Sequence, residues 1–435
     1  MNRRSFMVKT SAMLGSSAVA GVVQFPLISK ANPVAESEPS VSSWEEVRAQ
    51  FNLAPDKINM ACLWHASHPK PVRDAIEVHR RGLDECPADY YHQNAPLLEA
   101  AVRTAAAEYF AANSSDFAMT GNTSEGLATI YAGLKLRPGQ EFLSTEQDHI
   151  QTKLSLRLRA ERDGTPVRTI SLYEHSDKVT EDGLVDAVIQ EVTPRTRVVA
   201  ITWVQSATGV KMPVGRIALE LARINSNRNE EDRALLCVDG LHGLGVEDII
   251  ISDLGCDFFI AGCHKWLFGP RGTGLVWGNA RAWPTVSATI PSSDSLWTHL
   301  PENQLTPGLR MTPGGFHSFE HRWALTEAFR FHVQIGKARV SARIHELNLQ
   351  CKEGLAKMSH VKLQTPMSDK LSAGMICFLV DGLTPDATVE RLKKLGIVAS
   401  TTPPYKYKYA RVTPGLWNTP AEVDATLRAI HSLRS

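Results

Sequence analysis

The sequence predicts an α/β protein: a large domain with a mostly parallel sheet flanked by helices, followed by a smaller C-terminal α+β domain. Three observations predict it. Through the middle of the chain, short β-rich runs alternate with longer amphipathic stretches, the pattern of strands joined by crossover helices. After Pro313 the texture changes to two long helical patterns followed by short strands. The 435 residues are 43% hydrophobic and 21% charged, enough to bury a sizeable core and too apolar for disorder.

In chain order, MNRRSFMVK pairs Arg3 and Arg4 with Phe6, and an uncharged stretch runs from Thr10 to Ser29 before the small residues around Ala31. This reads as a twin-arginine export signal over residues 1–31. Gly15, Ser16, Gly21, Gln24 and Pro26 make it weakly apolar for a permanent span, which needs about 20 strongly apolar residues. Its removal would leave 43 basic against 46 acidic side chains, so neither nucleic acid nor a stable membrane surface is expected as a partner. The expected partners are the twin-arginine translocon during export and a small-molecule substrate afterwards, in the periplasm. That pathway carries folded proteins, which suits a chain that takes up a cofactor first.

Residues 32–43 are small and polar and read as a flexible leader. The large domain is expected over 44–312 and the small one over 313–435. Strands are predicted at 117–120, 141–145, 167–172, 197–204, 235–240, 258–262 and 274–278. Helices are predicted at Pro96 to Ala112, Ser124 to Leu136, His149 to Arg162 and Val214 to Ser226. In the tail, helices at 320–336, 337–358, 385–395 and 421–433 surround a strand at 375–380 and an aromatic strand through Arg411. The seven cysteines form no CxxC pair and no zinc-spaced cluster, so buried free thiols are expected and no metal site.

The chemistry concentrates in AGCHKWLFGPRGTG, where an apolar strand ends in His264-Lys265 and a glycine-rich return follows. Upstream, LLCVDG ends in Asp239, with His242 close behind. Ligands of open α/β sheets bind at the carboxyl ends of strands, so a carboxylate and a lysine are aimed at one crevice. Pyridoxal phosphate needs that pair: an amine to form a Schiff base with its aldehyde, and a carboxylate to keep its pyridine nitrogen protonated. A phosphate site is expected at TGNTSEGL, where a turn enters a helix with Thr123 or Ser124 as N-cap. His149 is placed over the ring. Tyr405, Tyr407, Tyr409 and Arg411 share one parity and hence one strand face, with Lys406 and Lys408 opposite. The tyrosines fit an edge strand, and the planar fork of Arg411 suits a carboxylate.

The motifs DHIQT, TWVQSATG, VDGLHG, the lysine window and ARVTPGLWNTPAEVD, in that order, resemble the class V aminotransferases of fold type I, over roughly residues 50 to 435. The nearest branch resembles isopenicillin N epimerase and the cysteine desulfurases. The resemblance implies Lys265 as Schiff-base lysine, Asp239 on the pyridine nitrogen and His149 as stacking residue. It further implies His242 beside the ring hydroxyl, Asn122, Thr123, Ser124 and His264 around the phosphate, Arg411 on the substrate α-carboxylate, and a homodimer. A second subunit would contribute through PGGFHSF, residues 313 to 319.

The chain departs from that pattern in three places. No cysteine lies between Cys377 and Arg411 to serve as a desulfurase nucleophile; Ser206 stands where many relatives carry asparagine; Gly262 stands where many carry serine. With the export signal, the motif set resembles the exported branch that matures the siderophore pyoverdine. That implies oxidative decarboxylation of a chromophore-linked glutamic acid to a succinamide, through an aldimine. The same constellation would serve an aminotransferase or epimerase of a small amino acid. A carbon–sulfur lyase, or a protein that holds the cofactor without turnover, is the remaining alternative.

Overall fold

The computed structural model describes residues 41, 43–293, 300–402 and 408–433. The expected signal (1–31), most of the leader, and Tyr405, Lys406 and Tyr407 lie outside the described residues.

Short helix α1 (Trp44–Ala49) and strand β1 (Ile58–Asn59) open the described chain. The central sheet follows: β2 (Phe117–Thr120), β3 (Glu141–Thr145), β4 (Val167–Ile170), β5 (Thr196–Thr202), β6 (Leu235–Asp239), β7 (Phe258–Gly262) and β8 (Gly274–Gly278). Its spatial order is β2-β8-β7-β6-β5-β3-β4. The strands of this sheet are those the sequence predicts, within two residues at each end. They were legible because β5, β6 and β7 are buried along their whole length, and strands covered on both faces read as unbroken apolar runs. β8 runs antiparallel to both neighbours, β2 and β7. The loop from Gly262 to Gly274 is too short for a crossover, so the chain must turn back on itself.

Helices α2 (Lys70–Glu85), α3 (Pro87–Phe110), α4 (Thr123–Gly133), α5 (Ile150–Asp163), α6 (Glu181–Ile189) and α7 (Val214–Asn225) complete the large layer. The helix expected to start at Pro96 starts at Pro87 instead and runs through Pro96. Pro87 occupies the first helical position, where its missing N–H costs nothing. Pro96 lies on an exposed face, where water can hydrate the carbonyl it leaves without a donor.

After α8 (Pro307–Met311), the long helix α9 (Phe319–Ile335) packs on α2 and α3, and α10 (Lys337–Ala356) leads away from it. A four-stranded antiparallel sheet follows, in the order β12-β13-β10-β9: β9 (Val361–Leu363), β10 (Ile376–Val380), β12 (Ser400–Thr401) and β13 (Ala410–Val412). Helices α11 (Pro385–Lys394) and α12 (Pro420–His431) flank it, and β11 (Ile397–Val398) pairs in parallel with β1. A separate apolar core gathers Met60, Leu347, Ile376, Phe378, Val412 and Ile430 under this sheet. The N-terminal segment therefore contributes to the smaller layer, while α9, from the expected small domain, packs on the larger. Among the described residues no helix is long and apolar enough to cross a membrane.

Candidate active site

The carboxyl ends of β3, β5, β6 and β7 meet beside the small sheet, and the predicted residues stand there. Asp239 closes β6, fully buried, with Oδ1 accepting from the Leu241 N–H at 3.2 Å and Oδ2 facing the Thr152 hydroxyl at 3.5 Å. Burial raises its pKa to about 6, opposed by the Leu241 hydrogen bond and by Lys265. Lys265 follows the end of β7. Burial, reinforced by Arg411 and opposed by Asp239, brings it down to about 8, so roughly a tenth is unprotonated at pH 7 where an ordinary lysine has almost none. Its Nζ lies 3.3 Å from Nε2 of His242, whose imidazole burial holds well below its ordinary pKa.

His149 is the N-cap of α5, its Nδ1 accepting from the Gln151 N–H at 3.2 Å. Burial and the cations Lys265 and Arg411 lower it to about 4, so it is neutral. What places it is Asp148, a residue that motif reading passed over. The buried Asp148 carboxylate accepts from the Thr145 N–H at 2.7 Å, the Ser144 hydroxyl at 3.0 Å and the Thr202 N–H at 2.6 Å, while the His149 N–H donates to the Thr202 hydroxyl at 3.1 Å. One carboxylate thus ties the end of β3 to the end of β5 and presents the next residue to the crevice. The sequence signal was an acid three residues after a strand; one of the donors it satisfies, the Thr202 N–H, comes from a distant strand.

The expected N-cap of α4 needs correction. Asn122, in extended backbone, caps the helix through Oδ1 on the Glu125 N–H at 2.9 Å. Thr123 already lies inside the helix, and its hydroxyl accepts from the Gly262 N–H at 2.8 Å. Asn122 is exposed and Ser124 half-buried. With Glu125 Oε2 on the Gly121 N–H, the first-turn N–H groups of Thr123 and Ser124 have no acceptor among the described residues. Gly262 is tightly surrounded: a Cβ there would lie 3.0 Å from both Thr123 Oγ1 and the His264 ring, so any side chain at this position requires both to shift by a few tenths of an ångström.

Arg411, on β13, is fully buried. It donates from Nη1 to the Ser206 carbonyl at 2.6 Å and from Nη2 to the Thr401 carbonyl at 2.7 Å. Ser206 therefore contributes its backbone to the site. Tyr409, two residues before Arg411, is buried like it, and Lys408 just before Tyr409 reaches out to Asp386. The structure brings Lys265, Asp239, His242, His149 and Arg411 into one crevice, with His264 and Thr123 at its edge.

These residues fit pyridoxal phosphate. Beside the open N–H groups of α4, His264 Nδ1 is buried with no partner, and its imidazole is lowered to about 4 by burial and by Lys265. An unpaired buried donor or acceptor is costly unless a ligand satisfies it. The cavities of about 670 and 770 Å³ beside α7 and below β5 touch none of these residues.

The aminotransferase class-V family model matches residues 88–403, and the chain belongs to that family of pyridoxal-phosphate enzymes. Isopenicillin N epimerase of Streptomyces clavuligerus is 24% identical over 411 residues, covering 91% of this chain and 99% of that one. A probable cysteine desulfurase of Mycolicibacterium paratuberculosis is 23% identical, over 94% of this chain and 61% of its own length. Among solved structures, a lysine-to-alanine mutant of C-DES, with glycine covalently linked to its PLP cofactor, superposes with a TM-score of 0.78 at 20% identity, covering 88% of this chain and 98% of that one. The apo cysteine desulfurase of Thermococcus onnurineus gives 0.75 at 21%, over 89% and 97%. The fold is the pyridoxal-phosphate fold of type I.

Proposed function

We propose that this enzyme acts in the periplasm on a bulky siderophore substrate, converting a chromophore-linked glutamic acid with a free amine to a succinamide. The observation that carries the reading is one buried crevice holding an amine, a carboxylate, a neutral imidazole pair and a guanidinium. Thr123, Ser124 and His264 would hold the cofactor phosphate, Asp239 the pyridine nitrogen, His149 the ring face and His242 the ring hydroxyl. When bound, pyridoxal phosphate draws electrons from the bonds at the α-carbon of an amino-bearing substrate. Arg411 orients the α-carboxylate, and Lys265, half unprotonated near pH 8, accepts or returns a proton. In overall balance the amino acid and dioxygen give the amide, carbon dioxide and water; dioxygen is the oxidant this reading requires.

Export rests on Arg3, Arg4 and the uncharged stretch after them. Desulfuration is disfavoured: Cys377 is buried within β10 with its thiol pushed up to about 12, and the buried Cys62 thiol is raised further. A second reading, epimerase or aminotransferase of a small amino acid, is favoured by the near-complete coverage of isopenicillin N epimerase.

The test is mass spectrometry of glutamyl-bearing pyoverdine incubated in air with cofactor-loaded protein, beside Lys265→Ala. Loss of the α-carboxyl carbon with formation of the succinamide, absent in the mutant, supports the proposal. A ketoacid or an inverted α-centre replaces it with the second reading, and an unchanged siderophore refutes it. Fractionation of cells should place the protein with periplasmic markers, and substitution of Arg3 and Arg4 by lysine should retain it in the cytoplasm.

A further inference from the structure

Trp266, next in sequence to Lys265, is among the largest fully buried side chains, and motif reading gives it no role. Its indole Nε1 lies 3.4 Å from Nδ1 of His242, on the opposite side of the imidazole from Lys265. An indole N–H can only donate, so the nitrogen facing it must accept. A neutral imidazole with an accepting Nδ1 carries its hydrogen on Nε2, and Nε2 is the atom 3.3 Å from Lys265 Nζ. We propose that Trp266 is a positioning residue that locks His242 in the Nε2–H tautomer, and that the locked N–H disfavours the Lys265 ammonium and so raises the fraction of amine ready to attack the cofactor aldehyde.

The physics is a conflict of donors. A neutral amine offers a lone pair to Nε2–H, whereas an ammonium has only donors and meets the same hydrogen head on. Were the imidazole free to exchange tautomers, it could turn a bare Nε2 toward the ammonium and stabilise it. Trp266 removes that choice. The indole cannot swing away, because Gly374 lets the backbone press on it: a Cβ there would lie 2.5 Å from the Trp266 ring. The other groups facing Lys265 are Asp239, Arg411, Cys62, His149 and His264. Asp239 favours the ammonium, while Arg411 and burial oppose it, and none of them depends on the indole N–H. The inference rests on Lys265 being the cofactor lysine.

Two measurements test it. In the cofactor-loaded protein with ¹⁵N-labelled histidine, the His242 resonances, assigned by their loss in His242→Gln, should show a neutral ring protonated at Nε2. Separately, the full chain stripped of cofactor is mixed with pyridoxal phosphate, and the rate of Schiff-base absorbance growth is followed against pH. Trp266→Phe, which keeps the aromatic bulk, should move the midpoint of that profile upward by about one pH unit, the worth of one hydrogen bond. In the His242→Gln background the same substitution should move nothing. A ring protonated at Nδ1 or at both nitrogens, an unmoved midpoint, or an equal shift in both backgrounds would overturn the proposal. If Trp266→Phe does not fold, the tautomer of the parent protein decides. Failure of every variant, and of the parent, to capture the aldehyde would instead refute Lys265 as the cofactor lysine.

Discussion

Asp239 is held in a site that disfavours its charge, and this predicts that neutralising it stabilises the protein without cofactor. Its folded pKa is about 6 against an ordinary value of 3.8. The folded state therefore binds the proton more tightly, and stability falls as pH rises from the unfolded value through the folded one. At 1.36 kcal/mol per unit, the ionised carboxylate costs about 3 kcal/mol at pH 8 and about half a kcal/mol at pH 4. Asp239→Asn removes that cost. Its Oδ1 can still accept from the Leu241 N–H, and its amide can turn to the Thr152 hydroxyl. Part of the gain returns, because Asp239 attracts the Lys265 ammonium, whose depressed pKa is itself a cost below pH 8. The net expectation is a gain of about 2 to 3 kcal/mol at pH 8, shrinking toward zero at pH 4. Urea unfolding of the cofactor-free parent and variant across this range measures it, and cofactor affinity should fall in the same variant. A variant no more stable than the parent at pH 8, or a difference independent of pH, would refute the reasoning.

Asp148→Asn must turn an amide NH₂ toward the N–H of Thr145 or Thr202, since each carboxylate oxygen now receives one. We expect a loss of about 2 kcal/mol in chemical denaturation and weaker cofactor binding by fluorescence titration, as His149 loses its anchor. Arg411→Lys keeps the charge but not the fork that reaches Ser206 and Thr401. In steady-state kinetics KM for a carboxylate-bearing substrate should rise roughly tenfold or more, with a smaller change in kcat. Of the seven free cysteines only Cys86, at the junction of α2 and α3, is exposed. A thiol reagent should titrate one group per native chain and all seven in denaturant; two groups missing in denaturant would indicate a disulfide.

Much of the site was legible because its chemistry sits at strand ends. Lys265 and Asp239 follow apolar runs that cannot be mistaken for anything exposed, and a lysine there is conspicuous. Asp148 was not legible, because an acid after a strand is ordinary until the two N–H groups it satisfies are known. The N-cap of α4 was assigned one or two residues late, since Asn, Thr and Ser are all good caps and only the position of Gly262 shows that the Thr123 hydroxyl is already engaged. Helix α2 is strongly amphipathic but polar on average, and the first half of α3 is mostly exposed, so neither carries a long apolar run.

By itself the sequence determined the α/β class, the strands of the central sheet and the lysine–carboxylate pair, because burial on both faces writes an unbroken apolar run and a charged residue at its end stands out. Only the tertiary structure decided which of these groups meet. Arg411 reaches the crevice because β13 lies between β10 and β12 in a second sheet, and its guanidinium crosses to the Ser206 carbonyl. The pairing of Trp266 with His242, which the chain order does not suggest, depends on the sub-ångström placement of two buried rings. Hydrogen bonds fall off within a few tenths of an ångström and a few tens of degrees, so their partners are a property of the packed fold and not of the spacing of residues along the chain.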